Sequence, residues 1–254
     1  MRMQPSVGCD RKDNSRMIRM DFLVGGYFLV QASQADWIRK KTWLPARFWT
    51  VSGCICKIYP DTWIFSWTSK SMGSPHHYQE TLKLDEEGFK SLQAWADEMF
   101  KKEELGWPNV FLNIETARQF YAQYLKHLPD IKLLSIALSE PYRIEFIEEN
   151  KPKPGMGEGG VYQKLLQRQL LDPTAITRGF EILGDEWGGQ FHSFFCNSLD
   201  TDYKEQLNIS LNQYGLIDRY EEAVRAADYT SLDEVKAEPA LWQPWLISEY
   251  PIPT

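Results

Sequence analysis

The chain has 254 residues, 43% of them hydrophobic, which is enough to bury a substantial core in one large domain or two smaller ones. Its 35 acidic side chains against 28 basic ones leave a formal net charge of −7, which disfavours a non-specific grip on nucleic acid and suits a partner with a basic surface. Cys9, Cys54, Cys56 and Cys196 form no Cys-x-x-Cys pair and no regular framework, so neither a zinc ribbon nor a disulfide scaffold is supported and reduced thiols are expected.

The first 16 or so residues are polar and charged and read as a disordered extension, with residues 1–20 set apart from the folded body. Phe22 to Val30 has the aromatic and β-branched content of a buried strand, and Gly25-Gly26 inside it mark a bulge or a close backbone approach. This run is too short and too interrupted for a membrane span, and a cytoplasmic protein is expected. Ala35 to Trp43 suggests a short helix before Pro45. Trp49 to Tyr59 alternates as a strand and, through Pro60-Asp61, pairs as a hairpin with Thr62 to Trp67, followed by a loop from Ser69 to Gln79.

Asp85 is placed to cap a helix reaching about Glu104, because Phe89, Leu92, Ala96, Met99 and Phe100 recur at three- and four-residue spacing. Ile114 to Leu128 gives a second apolar helical stripe ending at Pro129. Ile131 to Leu138 and Tyr142 to Glu149 then read as strands, the latter on its alternation of Tyr142, Ile144 and Phe146 with Arg143 and Glu145. Asn150 to Gly160 has the composition of a linker. Helices are expected at Val161 to Leu171, Phe191 to Leu199, Asp202 to Leu207 and Arg219 to Tyr229, with a strand at Gly179 to Leu183. The four prolines of the final segment, from Pro239 on, suggest an irregular strap held by Trp242 and Trp245. The fold class expected is α+β: a β-rich part over residues 21–150 with a mainly antiparallel sheet and helices on it, and a helix-rich part over residues 161–254, continuous with the first.

Chemistry-bearing residues concentrate between Gly179 and Asp218. On a helix, His192 and Cys196 stand four residues apart and share a face, the spacing that lets an imidazole lower a thiol pKa. Against that reading, Phe191, Phe194, Phe195 and Cys196 also suit a buried aromatic face. Asp185, Glu186 and Trp187, before Gly188-Gly189, lie where loops bind ligands on a rigid frame, and with His192 and Asn197 they make the expected binding set. Gly155 to Gly160 resembles a phosphate cradle only superficially, since no Lys-Ser or Lys-Thr follows and Glu158 would repel phosphate. His76 and His77 would need a coincidence of folding to join Cys54 or Cys56 at an ion, so no metal and no cofactor is expected.

Gly179-Phe-Glu, Phe191-His-Ser-Phe-Phe-Cys-Asn197 and Leu211-Asn-Gln-Tyr-Gly-Leu-Ile217 together resemble a pattern in uncharacterised bacterial proteins of immunity-protein type. The resemblance spans Gly179 to Asp218 and implies a binding role, with no catalytic residues to carry over. The leading expectation is therefore a protein-binding module, an immunity protein that occludes a basic toxin or enzyme by steric block and charge complementarity. The alternative is a hydrolase or small-molecule enzyme built on Cys196 and His192.

Overall fold

Phe22–Gln31 forms the expected strand (β1), buried on both faces along nearly its whole length. A strand covered on both sides needs apolar residues at successive positions, not alternate ones, and the run Leu-Val-Gly-Gly-Tyr-Phe-Leu-Val supplies them. Its pairing with Ile131–Ser139 (β5) slips one register between Val24 and Gly26, so the glycine pair does mark a bulge. The computed structural model describes residues 20–32, 44–45, 48–59, 81–108, 110–153, 158–186 and 190–252. The expected N-terminal extension, the helix from Ala35, the Thr62 to Trp67 hairpin strand, the Ser69 to Gln79 loop with His76 and His77, and Trp187 lie outside these residues.

The remaining strands are Lys57–Tyr59 (β2), Leu105–Gly106 (β3), Val110–Phe111 (β4), Ile176–Asp185 (β6), Phe191–Ser193 (β7) and Leu241–Tyr250 (β8). All pair antiparallel in one sheet of order β3-β4-β1-β5-β8-β6-β7, with β2 on the far end of the β1 edge that β4 also uses. Helices are Glu86–Lys101 (α1), Ile114–Phe120 (α2, running on into a π turn at Tyr121–Leu125), Glu140–Glu149 (α3), Gly160–Leu166 (α4), Asp200–Glu205 (α5) and Tyr220–Thr230 (α6). The fold is α+β.

On one sheet face, α1 and α2 cover Tyr27, Leu29 and Leu133. The same face continues under α6, whose Ala223, Ala226 and Ala227 pack with Phe180, Ile182, Trp242 and Leu246. The opposite face carries Leu134, Ile136, Leu138, Trp245 and Ile247 beneath Phe146 of α3 and Val161 and Leu165 of α4. Trp245 sits at its centre, fully buried, with edge contacts to Phe146 at 5.5 Å and Phe191 at 5.1 Å.

Five expectations are corrected. Tyr142 to Glu149 is the helix α3, not a strand, because Pro141 sits in its first turn and Arg143 reaches back to Glu140 across one turn at 2.9 Å, while Ile144 stays exposed. Trp49 to Tyr59 is strand only from Lys57, since the Ser52 carbonyl accepts from Ile55 N at 3.1 Å and Cys56 N at 3.0 Å and closes a turn. Phe191 to Leu199 is no α-helix but β7 followed by a single 3-10 turn, Phe194–Asn197, with Ser193 capping it.

The C-terminal strap is a strand, β8, flanked by β5 and β6. Pro244 is tolerated inside it because pairing with β5 runs only from Leu246 to Tyr250, so at Pro244 the strand is laddered to β6 alone. The second part is accordingly not simply helix-rich: it supplies β6, β7 and β8 to the same sheet as β1 and β5. No helix among the described residues is long and apolar enough to cross a membrane.

The glycine-rich loop has a packing explanation at its end. A Cβ on Gly160 would stand 2.4 Å from Val110 Cγ1 and 2.7 Å from Gly106 Cα, so α4 begins where two backbones nearly touch. The Gly160 N–H donates to the Trp107 carbonyl at 2.7 Å and is spent on the fold rather than free to cradle an anion.

Candidate functional site

The Ser52 to Cys56 turn is pinned against the β6–β7 end of the sheet by two aromatic contacts of the residues just before it. Phe48 packs edge-on against Phe195 at 4.4 Å, and Trp49 lies on Tyr214 at 4.5 Å while its N–H donates to the Tyr214 carbonyl. Turning the chain here splits the Cys-x-Cys pair. Cys56 is buried, its thiol donating to the Phe48 carbonyl at 3.6 Å, while Cys54 is exposed. On an extended strand the two thiols would have shared a face.

Cys54 faces His192. The Cys54 sulfur and His192 Nδ1 are 4.0 Å apart, across 138 residues of sequence. β7 holds His192 opposite Gly184 of β6, where a Cβ would stand 2.8 Å from Ala240 and 2.9 Å from the Trp242 ring, so only glycine leaves room for these side chains. Glu186, just past β6, lies 2.9 Å from His192 Nε2, and Glu238 Oε2 lies 2.9 Å from Nδ1. Glu238 is itself held: Trp242 Nε1 donates to its carbonyl at 3.0 Å, Asn197 Nδ2 donates to its carboxylate at 3.4 Å, and Asn197 Oδ1 accepts from its backbone N–H at 3.2 Å. With a carboxylate at each ring nitrogen, both nitrogens act as donors and the imidazolium is the favoured form. Burial opposes the charge, but the hydrogen bond to Glu186 and the charges of Glu238 and Cys54 outweigh it, and the pKa of His192 is raised.

Cys196 completes the cluster through sulfur. The 3-10 turn carries its thiol to 3.5 Å from Ser52 Oγ, the same oxygen that accepts from the Cys54 N–H at 3.3 Å. A hydrogen bond from Cys196 is the largest influence on Cys54; Ser52 and His192 add to it against the opposing effect of burial, and the Cys54 pKa falls to about 6. Cys196 moves the other way, pushed up by its neighbour and by burial, so it keeps its proton. The two shifts together favour a thiolate at Cys54 and a thiol at Cys196. The Cys54 N–H is donated to Ser52 Oγ at 3.3 Å, so it is not free to bind an oxyanion.

The structure therefore brings His192 together with Glu186 and Asn197 but exchanges the cysteine: Cys54, not Cys196, meets the imidazole. The helical i to i+4 argument fails because a strand and a 3-10 turn replace the helix. Asp185 is buried at the end of β6, opposite Phe191 and Leu241, and is a structural neighbour of the cluster rather than part of its surface. Sequence reasoning weighed Cys54 only as an ion ligand beside His76 and His77 and missed Ser52 and Glu238; all three reach the site through tertiary packing. Among the described residues no group of three or more His, Cys, Asp or Glu could hold a metal ion.

Beneath this cluster lies Glu181, fully buried on β6 and opposite Trp245. Thr50, Ser193 and the Val51 N–H surround it, but neither carboxyl oxygen completes a hydrogen bond of good geometry. Burial dominates and its pKa rises to about 7.

No protein-family model, curated protein or solved structure matches the chain.

Proposed function

We propose that this chain is a thiol-dependent enzyme in which Cys54 is the nucleophile and His192, held charged by Glu186 and Glu238, stabilises the thiolate and delivers a proton to the leaving group. The observation that carries the reading is the convergence of an exposed cysteine, an imidazole 4.0 Å from it and a carboxylate 2.9 Å from each ring nitrogen. A thiol with a pKa of about 6 is roughly nine-tenths thiolate at pH 7, against a few per cent for an ordinary cysteine. The test is the rate of iodoacetamide labelling against pH, read by mass spectrometry at each cysteine. Cys54 labels in the native protein with a midpoint near pH 6, well ahead of Cys56. Slow labelling of Cys54 that speeds up only in denaturant removes the reading.

A second reading is favoured by a different surface. A groove of 820 Å³ is lined by Met20, Phe22, Leu170 and Leu171 together with Asp21 and Asp172, and Met20 and Leu170 are exposed within it. Apolar anchors interleaved with carboxylates suit a basic protein partner, the occlusion role implied by the immunity-type resemblance. Affinity capture from the native host with wild-type chain and with Leu170→Asp tests it. One stoichiometric basic partner, weakened by salt and lost in the variant, supports the reading; equal capture by both chains overturns it.

A further inference from the structure

We infer that Cys54 and Cys196 are a peroxide-reactive pair: a hydroperoxide oxidises Cys54, and Cys196 resolves the product as an intramolecular disulfide. This rests on the thiolate reading of Cys54 and names the substrate class of that same site. A hydrolase needs an amide or ester carbonyl held beside free oxyanion donors, and the Cys54 backbone N–H is already bonded to Ser52 Oγ. A peroxide makes no such demand. It needs a thiolate, a proton for its leaving oxygen and, for turnover, a second thiol within reach. Each is present: Cys54 is exposed, the His192 imidazole is 4.0 Å away, and both cysteines meet at Ser52, whose Oγ accepts from the Cys54 N–H at 3.3 Å and lies 3.5 Å from the Cys196 sulfur.

The unequal burial of the pair sets the order of events. Cys54 meets solvent first, whereas Cys196 is half-buried behind it and retains its proton. In the first step the Cys54 thiolate attacks one peroxide oxygen and the O–O bond breaks. The released alkoxide or hydroxide takes the proton of His192 and departs as an alcohol or water, leaving a sulfenic acid on Cys54. In the second step the Cys196 sulfur attacks the Cys54 sulfur, the S–O bond breaks, and hydroxide leaves as water with the Cys196 proton. Overall two thiols lose two electrons and two protons, and one peroxide is reduced. An external thiol reductant returns the disulfide to the starting pair. Cys56, two residues away but buried with its thiol bonded to Phe48, takes no part and serves as an internal control.

The experiment treats the reduced full-length chain with one equivalent of hydrogen peroxide or cumene hydroperoxide, blocks free thiols with N-ethylmaleimide, and maps the peptides. The expected result is a monomer lighter by two hydrogens, with a Cys54–Cys196 cross-linked peptide and free thiols reduced from four to two. Cys196→Ser gives no disulfide and traps a Cys54 sulfenic acid that dimedone labels, whereas Cys54→Ser gives neither product. Circular dichroism of both variants establishes that they fold. Rapid labelling of Cys54 by iodoacetamide at pH 7 with no Cys54–Cys196 cross-link on peroxide treatment overturns this inference and leaves the nucleophile standing. Slow iodoacetamide labelling removes both. A cross-link that joins Cys54 to Cys9 also overturns the assignment of Cys196.

Discussion

Glu181→Gln should stabilise this protein at alkaline pH and change little in mild acid. The carboxyl is fully buried, and its pKa rises from 4.5 to about 7, chiefly because burial penalises the charged form. Between those values the folded chain holds a proton that the unfolded chain has released, so stability falls as pH climbs through the window. A shift of that size corresponds to a loss of about 3 kcal/mol of stability, complete above pH 7 and absent below about pH 4.5. Gln keeps the shape and one acceptor, cannot ionise, and its amide can donate to Thr50 or Ser193. Thermal unfolding of wild-type and Glu181→Gln chains from pH 4.5 to 8.5 isolates this one group from every other titration. For a chain of this size the gain at pH 8.5 corresponds to roughly 6–12 °C in Tm, shrinking to near zero at pH 4.5. A Tm difference independent of pH, or one in which the variant loses most at high pH, would show that the carboxylate is ionised and well partnered in the fold and would refute the argument.

Four further outcomes follow from the same geometry. Glu186→Gln removes the hydrogen bond that keeps His192 charged, so the midpoint of Cys54 alkylation moves to higher pH; Cys196→Ala moves it further, because Cys196 is the larger influence, and an unchanged midpoint in both variants would count against the cluster. Trp245→Ala removes the fully buried ring between Phe146 and Phe191 and should cost about 3–5 kcal/mol in urea denaturation. Gly160→Ala forces a Cβ to within 2.4 Å of Val110 and should cost about 1–3 kcal/mol, whereas Gly53→Ala, with nothing within 4 Å, should be close to neutral. Asp85→Ala removes the side chain that accepts from Gly88 N at 2.7 Å and should cost about 1 kcal/mol of stability, measured in the same way.

Local signals were legible where one segment carries its own answer. Asp85 before an apolar three- and four-residue repeat specified both the start and the buried face of α1, since the cap and the stripe are satisfied within the helix. Phe22 to Val30 is apolar at every position a doubly covered strand requires, and its glycine pair marked the bulge. The antiparallel α+β class followed from such elements taken together. The short alternation at Tyr142 to Glu149 misled because a half-exposed helix and an edge strand both mix polar and apolar residues over eight positions, and the deciding contact, Phe146 against Trp245, lies about a hundred residues away.

The candidate site divides along the same line. Composition alone marked Gly179 to Asp218 as rich in reactive groups, and it picked out His192, Glu186, Asn197 and Cys196. It could not pair them, because proximity in sequence was read through a helical period that the chain does not adopt there. The Ser52 to Cys56 turn, the short strand carrying His192 and the stretch holding Glu238 are separate pieces of chain, brought together by Phe48 on Phe195, by β7 on β6 and by Trp242 on the Glu238 carbonyl. What the sequence determined by itself was which residues favour helix, bulge or cap, because those choices are settled within a few residues. Which thiol meets the imidazole was decided only by tertiary structure, because burial of distant aromatic side chains, and no local preference of Cys54 or His192, sets the distance between them.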